Sequence, residues 1–147
     1  MRTLAPPAQR NANDPSVKRG NILFHKIGCA NCHTPSLRTG SDAAIDELKN
    51  QSIKPYTDLL LHDMGEDLAD GIQDSLASGS EWRTPPLWGI GLTKTVNGNT
   101  FFLHDGRARS IEEAILWHGG EGSESRKNYS SLSLDDKVDL LNFINSL

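Results

Sequence analysis

The sequence predicts a mainly α domain with long loops, because three stretches carry the marks of a helix and patterns typical of strands are weak. The chain has 147 residues, of which 13 are Gly and 7 are Pro, so many turns are expected. Hydrophobic residues make up 36% and charged residues 23%, which suits one globular domain with a real core. The net charge of −4 argues against a nucleic-acid-binding surface. No apolar run approaches the ~20 residues that span a bilayer.

The first predicted helix covers residues 16–27. Its apolar positions include Ile22, Leu23 and Ile27, Asp14 or Ser16 can cap its start, and it should end near Gly28. Residues 1–15 are rich in Pro, Ala and Asn, and they lack the apolar stretch of a secretory signal. We expect 1–15 to be a linker or an interdomain segment that precedes a domain at 16–147.

Residues 34–100 are expected to form loops with short helical or extended segments. Leu59–Leu61 is an apolar triplet that suggests a helical turn or a buried extended segment. Pro85 and Pro86 favour extended backbone, with a short helix expected at 87–90. The Asn97-Gly98 pair predicts a turn or hairpin.

The two remaining helices have clear start signals. Ser110 and Glu113 form a capping box for a helix over 110–118, and the glycines that follow stop it. His118 should therefore lie on its last turn. The final helix is predicted over 133–146, with Ser133 as its cap.

Residues 29–33 read Cys-Ala-Asn-Cys-His, the attachment signature of a c-type haem. Two thiols at this spacing can each bond one vinyl group of a macrocycle, with the next imidazole beneath the iron. Cys29 and Cys32 would be thioether links and His33 the proximal ligand. A structural zinc site usually has four ligands, and the segment before Cys29 is not the strand expected of a thioredoxin-like dithiol. The sequence predicts one covalent haem c and a cytochrome c-like helical domain around it.

The sixth position on the iron decides the function, and the sequence leaves it open. The candidates are Met64, His25, His62, His104 and His118. His25 fits better as an exposed residue of the first helix. Met64 would be the default for a simple monohaem cytochrome. A non-haem alternative is an interaction module whose cysteines are a dithiol.

The second half of the chain resembles the C-terminal haem domain of bacterial di-haem cytochrome c peroxidases. The resemblance is carried by EWRTPPLWGIGLT, FFLHDGRARSIEEAILWH and LSLDDKVDLLNFINSL. With GCANCHTP and PYTDLLLHDMGEDLADG included, the chain is more similar to a sister group, the di-haem oxidoreductases often labelled thiol oxidoreductases. The resemblance runs from Gly20 to Leu147, although residues 41–80 match the peroxidases poorly.

The resemblance implies a sixth ligand. His118 falls where the peroxidases carry the axial Met of their electron-transferring haem, so His33 and His118 are the expected ligands, with Met64 as the alternative. Replacing Met by His normally lowers the potential, and the axial ligand sets a range of roughly 0.8 V across proteins. The carbonyl region of Pro35 is a candidate to orient His33 through its ring N–H.

Other residues are candidates for contacts with the haem. Arg83, Arg107 and Arg109 could pair with propionates, since a guanidinium suits a carboxylate, although a solvated surface charge is the better explanation for any one of them. Trp88, like the other two tryptophans, is expected in the wall of the haem pocket or in the core. His104 would be a pocket or interhaem residue.

The expected function is electron transfer within a periplasmic, peroxidase-like di-haem oxidoreductase. Its partner would be a second haem domain or a redox partner protein. The alternative is that the haem of this domain is itself a peroxidase catalytic site, with His104, Glu112 or Glu113 giving acid–base help. Export is expected because bacteria attach haem covalently outside the cytoplasm.

Overall fold

The computed structural model describes residues 5–147. Within them lie five α-helices and four short strands. The helices are α1 (Pro15–Lys26), α2 (Thr93–Asn97), α3 (Ile111–Trp117), α4 (Ser123–Ser130) and α5 (Leu134–Ser146). The strands are β1 (Leu37–Arg38), β2 (Ser52–Ile53), β3 (Leu61–Asp63) and β4 (Glu81–Arg83).

The prediction of a mainly α, cytochrome c-like domain is wrong as a fold class. The described chain is 42% helical and 10% strand, with two small antiparallel sheets, so it is mixed α/β. β1 pairs with β2, and β3 pairs with β4 in the register Leu61 to Arg83. Strands of two or three residues are too short to show the period-2 alternation by which a strand is recognised. Their partners also lie far along the chain, so no local turn signal marks the pairing.

The core forms where α1 crosses α5. Phe24 of α1 packs edge-on against Phe143 of α5, with ring centroids 5.3 Å apart, and both side chains are buried. Tyr56 joins them at 5.9 Å from each ring. Arg19 of α1 and Asp139 of α5 add an ion pair beside this aromatic cluster.

The predicted helix starts are confirmed. The Asp14 side chain accepts a hydrogen bond from the Ser16 N–H at 2.7 Å and caps α1. Ser110 accepts from the Glu113 N–H at 3.0 Å at the start of α3, and Ser133 accepts from the Asp136 N–H at 3.2 Å at the start of α5. The sequence did not predict α4, which carries little apolar periodicity.

Three local expectations need correction. Leu59, Leu60 and Leu61 are 50%, 60% and 50% exposed, so the triplet is not a buried segment. The expected helix at 87–90 is a 3₁₀ turn displaced to Ile90–Leu92. The Asn97-Gly98 pair ends α2, with Gly98 in the left-handed region at φ 74°, rather than forming a hairpin.

The segment before α1 packs against the end of α5. The Arg10 N–H donates to the Ser146 carbonyl at 2.8 Å, and the Gln9 side chain donates to Ser146 Oγ at 2.9 Å. Residues 1–4 of the expected linker lie outside the described residues. Among residues 5–147, none of the helices has the length and apolar character needed to cross a bilayer.

Candidate haem site

The Cys-Ala-Asn-Cys-His stretch leaves α1 through a glycine. Gly28 has φ 96°, a conformation that side chains with a Cβ rarely adopt. Cys29–Asn31 then forms a 3₁₀ turn, and the His33 N–H donates to the Cys29 carbonyl at 2.9 Å. This tight turn brings the two cysteines and His33 together beside the end of α1, as attachment to one macrocycle requires.

His33 is oriented by a backbone carbonyl. Its Nδ1 donates to the Tyr56 carbonyl at 3.0 Å, so Nε2 is the nitrogen left to bind a metal. The orienting carbonyl is that of Tyr56 and not the Pro35 region expected from the sequence. Burial lowers the pKa of His33 to about 4, although the hydrogen bond to Tyr56 acts in the opposite direction. The imidazole is therefore neutral at pH 7, the form that binds metals.

His118 has the same arrangement at the end of α3. It is the C-cap residue, and its Nδ1 donates to the Ala114 carbonyl at 2.7 Å. Burial lowers the pKa of His118, with the nearby Arg126 acting in the same direction. Its Nε2 is thus also the lone-pair-bearing nitrogen of a neutral ring.

The two imidazoles lie close to each other. The ring centroids of His33 and His118 are 6.5 Å apart, and the ring planes are inclined by 49°. Two imidazoles that bind one metal from opposite sides, with metal–nitrogen bonds of about 2 Å, have centroids roughly 6 Å apart. Within residues 5–147, the hydrogen bonds of both rings use Nδ1 only. The pair fits two axial ligands of a haem iron.

Met64, the alternative sixth ligand, lies in the same region. A Cβ placed on Gly122 would lie 3.1 Å from His118 Cβ and 3.4 Å from Met64 Cε. Met64 is therefore a neighbour of His118. The choice of His118 over Met64 as sixth ligand stays a prediction, and Met64 packs as a flexible side chain beside His118.

The cysteine surroundings disfavour thiolates. Both cysteines are free thiols in the described chain. Burial raises the pKa of Cys29 to about 12, and burial together with Asp58 and Glu121 raises the pKa of Cys32. A thiolate is the form that attacks disulfides and binds zinc, so both roles are disfavoured here. A thioether is neutral and avoids this electrostatic cost, so the site suits covalent haem.

Sequence reasoning missed a cluster beside Cys32. His62 donates from Nε2 to Asp58 Oδ2 and from Nδ1 to Glu121 Oε2, both at 2.8 Å. Its Nδ1 lies 3.8 Å from Cys32 Sγ. The i,i+4 spacing of Asp58 and His62 was a signal in the sequence, but Glu121 joins only through the tertiary structure.

His104, the candidate catalytic residue, is exposed and stacks on Trp82. The ring centroids are 3.5 Å apart with planes inclined by 8°. Trp82 is itself fixed, because its Nε1–H donates to the Leu68 carbonyl at 3.0 Å. A catalytic role for His104 stays a prediction.

The other candidates for haem contacts fall in different surroundings. The Arg107 guanidinium donates to Asp105 and to the Asp67 carbonyl, and it lies 4.8 Å from the ring centroid of Trp117. These protein partners would compete with a propionate.

Arg83 and Arg109, two further candidates for propionate contacts, are exposed. Trp88 is 36% exposed and lines a cleft of about 220 Å³ that also borders Tyr56. Their roles toward haem stay predictions.

These residues define a chain suited to holding a covalently attached haem between two imidazoles. A family model described as "Di-haem oxidoreductase, putative peroxidase" matches residues 1–147. The chain therefore belongs to this family, and the resemblance drawn from the sequence is confirmed. Comparisons with curated proteins and with solved structures each gave no significant match. Family membership implies haem binding, whereas the number of haems on this chain and their covalent attachment stay predictions.

Proposed function

We propose that this chain is an electron-transfer unit of a di-haem oxidoreductase and carries one covalent haem c. The placement of His33 against His118 carries the proposal, with 6.5 Å between ring centroids and each Nδ1 held by a carbonyl. Cys29 and Cys32 would form the thioethers. When bound, the haem would supply reversible one-electron transfer.

The two histidines and the carbonyls that hold them favour electron relay over catalysis at the proposed haem. His33 and His118 would occupy both axial positions, so peroxide could reach the metal only if His118 moved away. The carbonyls of Tyr56 and Ala114 fix both rings, which resists such movement. A relay also benefits from rigid ligands, because little has to reorganise when an electron arrives.

The partner and the compartment follow from the same proposal. The di-haem family supports a second haem domain as the partner for electron exchange. We infer export to the periplasm, because bacteria attach haem to cysteine thiols outside the cytoplasm.

The test is a set of spectra on the haem-loaded protein. The near-infrared magnetic circular dichroism of the ferric form should show bis-imidazole, low-spin iron. His118→Ala should remove this signature and leave a high-spin or water-ligated iron. Met64→Leu and His25→Ala should leave it unchanged, and His25→Ala is the matched control because His25 is exposed on α1.

Two outcomes would contradict the proposal. A five-coordinate, high-spin wild-type spectrum with fast peroxide reactivity would favour the alternative in which this haem is a peroxidase catalytic site. Loss of the signature in Met64→Leu but not in His118→Ala would move the sixth ligand to Met64.

A further inference from the structure

The proposed function makes no use of His62, whose imidazole is held at both nitrogens. Asp58 accepts from Nε2 and Glu121 accepts from Nδ1, both at 2.8 Å. A ring that donates from both nitrogens is an imidazolium. The bond to Glu121 and then the bond to Asp58 raise the pKa of His62, in agreement with this geometry. We call Asp58, His62 and Glu121 the His62 clamp.

The clamp joins two segments that lie far apart in sequence. His62 belongs to β3, and Asp58 lies on the stretch that leads into it. Glu121 belongs to the loop directly after His118. The second oxygen of Glu121 accepts from the Asp63 N–H at 3.0 Å, so one carboxylate binds both a side chain and the backbone of β3. The loop that follows His118 is thereby tied to β3.

The same loop also packs closely on the backbone after β3. A Cβ on Gly119 would lie 2.6 Å from the Met64 carbonyl oxygen, and one on Gly120 would clash with the Asp63 carbonyl oxygen. The glycines therefore let the two backbones approach closely, and the side-chain contacts of Glu121 hold them in register. His118 is the residue immediately before this contact.

A metal site does not explain the cluster as well. Ligand atoms of Cys32, Asp58 and His62 lie within 4.8 Å of one another. However, Asp58 contacts Nε2, whereas Cys32 and Glu121 approach Nδ1. An ion bound to one of these ring nitrogens would therefore lie on the opposite side of the ring from the residues at the other nitrogen. Cys32 is also held as a neutral sulfur in the proposed haem attachment.

We propose that His62 is a positioning residue that holds the loop after His118 and so keeps the His118 imidazole in its axial place. The inference rests on the proposed function, because it needs His118 to be the sixth ligand. Without the clamp, the loop would separate more often from β3, and His118 would leave the iron more often. Residues that orient metal ligands typically change metal affinity 10–100-fold when mutated.

The experiment measures how fast cyanide binds the ferric, haem-loaded chain. An external ligand can bind only when His118 has left, so the rate reports that departure. Glu121→Ala should raise the rate roughly tenfold. Glu121→Gln can still accept from the Asp63 N–H but loses the charge facing His62, so a smaller rise is expected.

Two controls separate this role from general loosening. Glu124→Gln removes a negative charge from an exposed side chain three residues later and should bind cyanide at the wild-type rate. Asp139→Asn should lower stability through the ion pair between α1 and α5, which involves no residue of the clamp, and should also leave the rate unchanged. If Glu121→Ala does not fold, Glu121→Gln and Asp58→Asn carry the test.

The outcomes distinguish this inference from the proposed function. A wild-type protein without the bis-imidazole signature would overturn the proposed function itself. A wild-type protein with that signature, together with clamp variants that bind cyanide at the wild-type rate, would overturn only the inference. An equal acceleration in Asp139→Asn would overturn it too, because the effect would then be loss of stability.

Discussion

Two backbone carbonyls decide which nitrogen each of the paired imidazoles presents. For His118 the carbonyl is that of Ala114, four residues earlier on the same helix. For His33 it is that of Tyr56, which lies 23 residues away. The first partner follows from helix geometry and could be inferred from the sequence. The second depends on the path of a loop, which is why Pro35 was the wrong expectation.

Asp139 is a residue whose protonation should affect folding. Its buried carboxylate accepts from Ser16 Oγ and Arg19 Nε, both at 2.5 Å. The contacts with Arg19 and then Ser16 hold the pKa of Asp139 below its ordinary value. We expect Asp139→Asn to lower the free energy of unfolding by roughly 1–2 kcal/mol at pH 7.

The sign of the pH dependence follows from that lowered pKa. The stabilisation is present above the unfolded pKa of about 4 and is lost as the pH falls through the lower folded value. Urea titrations at pH 7 and pH 3 should therefore show a smaller difference between the variant and the wild type at pH 3. Asp74→Asn, at an exposed site, is the matched control. A difference that grows toward pH 3 would contradict this prediction.

At the scale of elements, the crossing of α1 and α5 depends on one small residue. Gly20 lies in the middle of α1 and is buried against α5. A Cβ there would be 2.6 Å from Phe143 Cβ and would also clash with the Asp139 carbonyl oxygen. The helices therefore approach through backbone contact, which sets the spacing of the aromatic cluster under His33.

Gly20→Ala tests this crossing, because the substitution raises helix propensity but adds a methyl group where the two helices touch. Alanine favours a helix over glycine by about 1 kcal/mol, which alone would stabilise α1. Overpacking against backbone typically costs about 1–3 kcal/mol. Since the Asp139 carbonyl belongs to a helix and cannot move freely, we expect a net loss of stability, measured by thermal unfolding. Asn21→Ala, at an exposed position of α1, should be neutral or slightly stabilising. A more stable Gly20→Ala protein would show that the helices can separate at no cost.

The whole molecule brings together a cysteine turn after α1 and a histidine after α3. Nothing in the sequence of either segment indicates that it lies beside the other. They come together because both pack against the core. Tyr56 links the core to the candidate haem site, because its ring packs on Phe24 and Phe143 while its carbonyl accepts a hydrogen bond from His33.

Covalent loading tests the cofactor prediction at this scale. Mass spectrometry of the chain made with haem-attachment machinery should show the mass of one haem added per chain. Changing both Cys29 and Cys32 to serine should abolish the addition. Changing only one should leave a single thioether. A chain that stays colourless with two titratable thiols would support the dithiol alternative instead.

The sequence alone predicted the helix starts, the haem-attachment motif and the family, because each depends on residues close together in the chain. Asp14, Ser110 and Ser133 cap helices through bonds that span only two or three residues. The attachment motif is likewise complete within five residues. Such features can be recognised without knowing the fold.

The tertiary structure alone decided the fold class, the ring-to-ring placement of His33 and His118, and the His62 clamp. The strands are too short to leave a pattern, so their pairing appears only when β3 meets β4. The histidine pair and the clamp each join segments brought together by packing of the core. Their chemistry depends on distances between residues far apart in the chain, and these distances are set only when the chain folds.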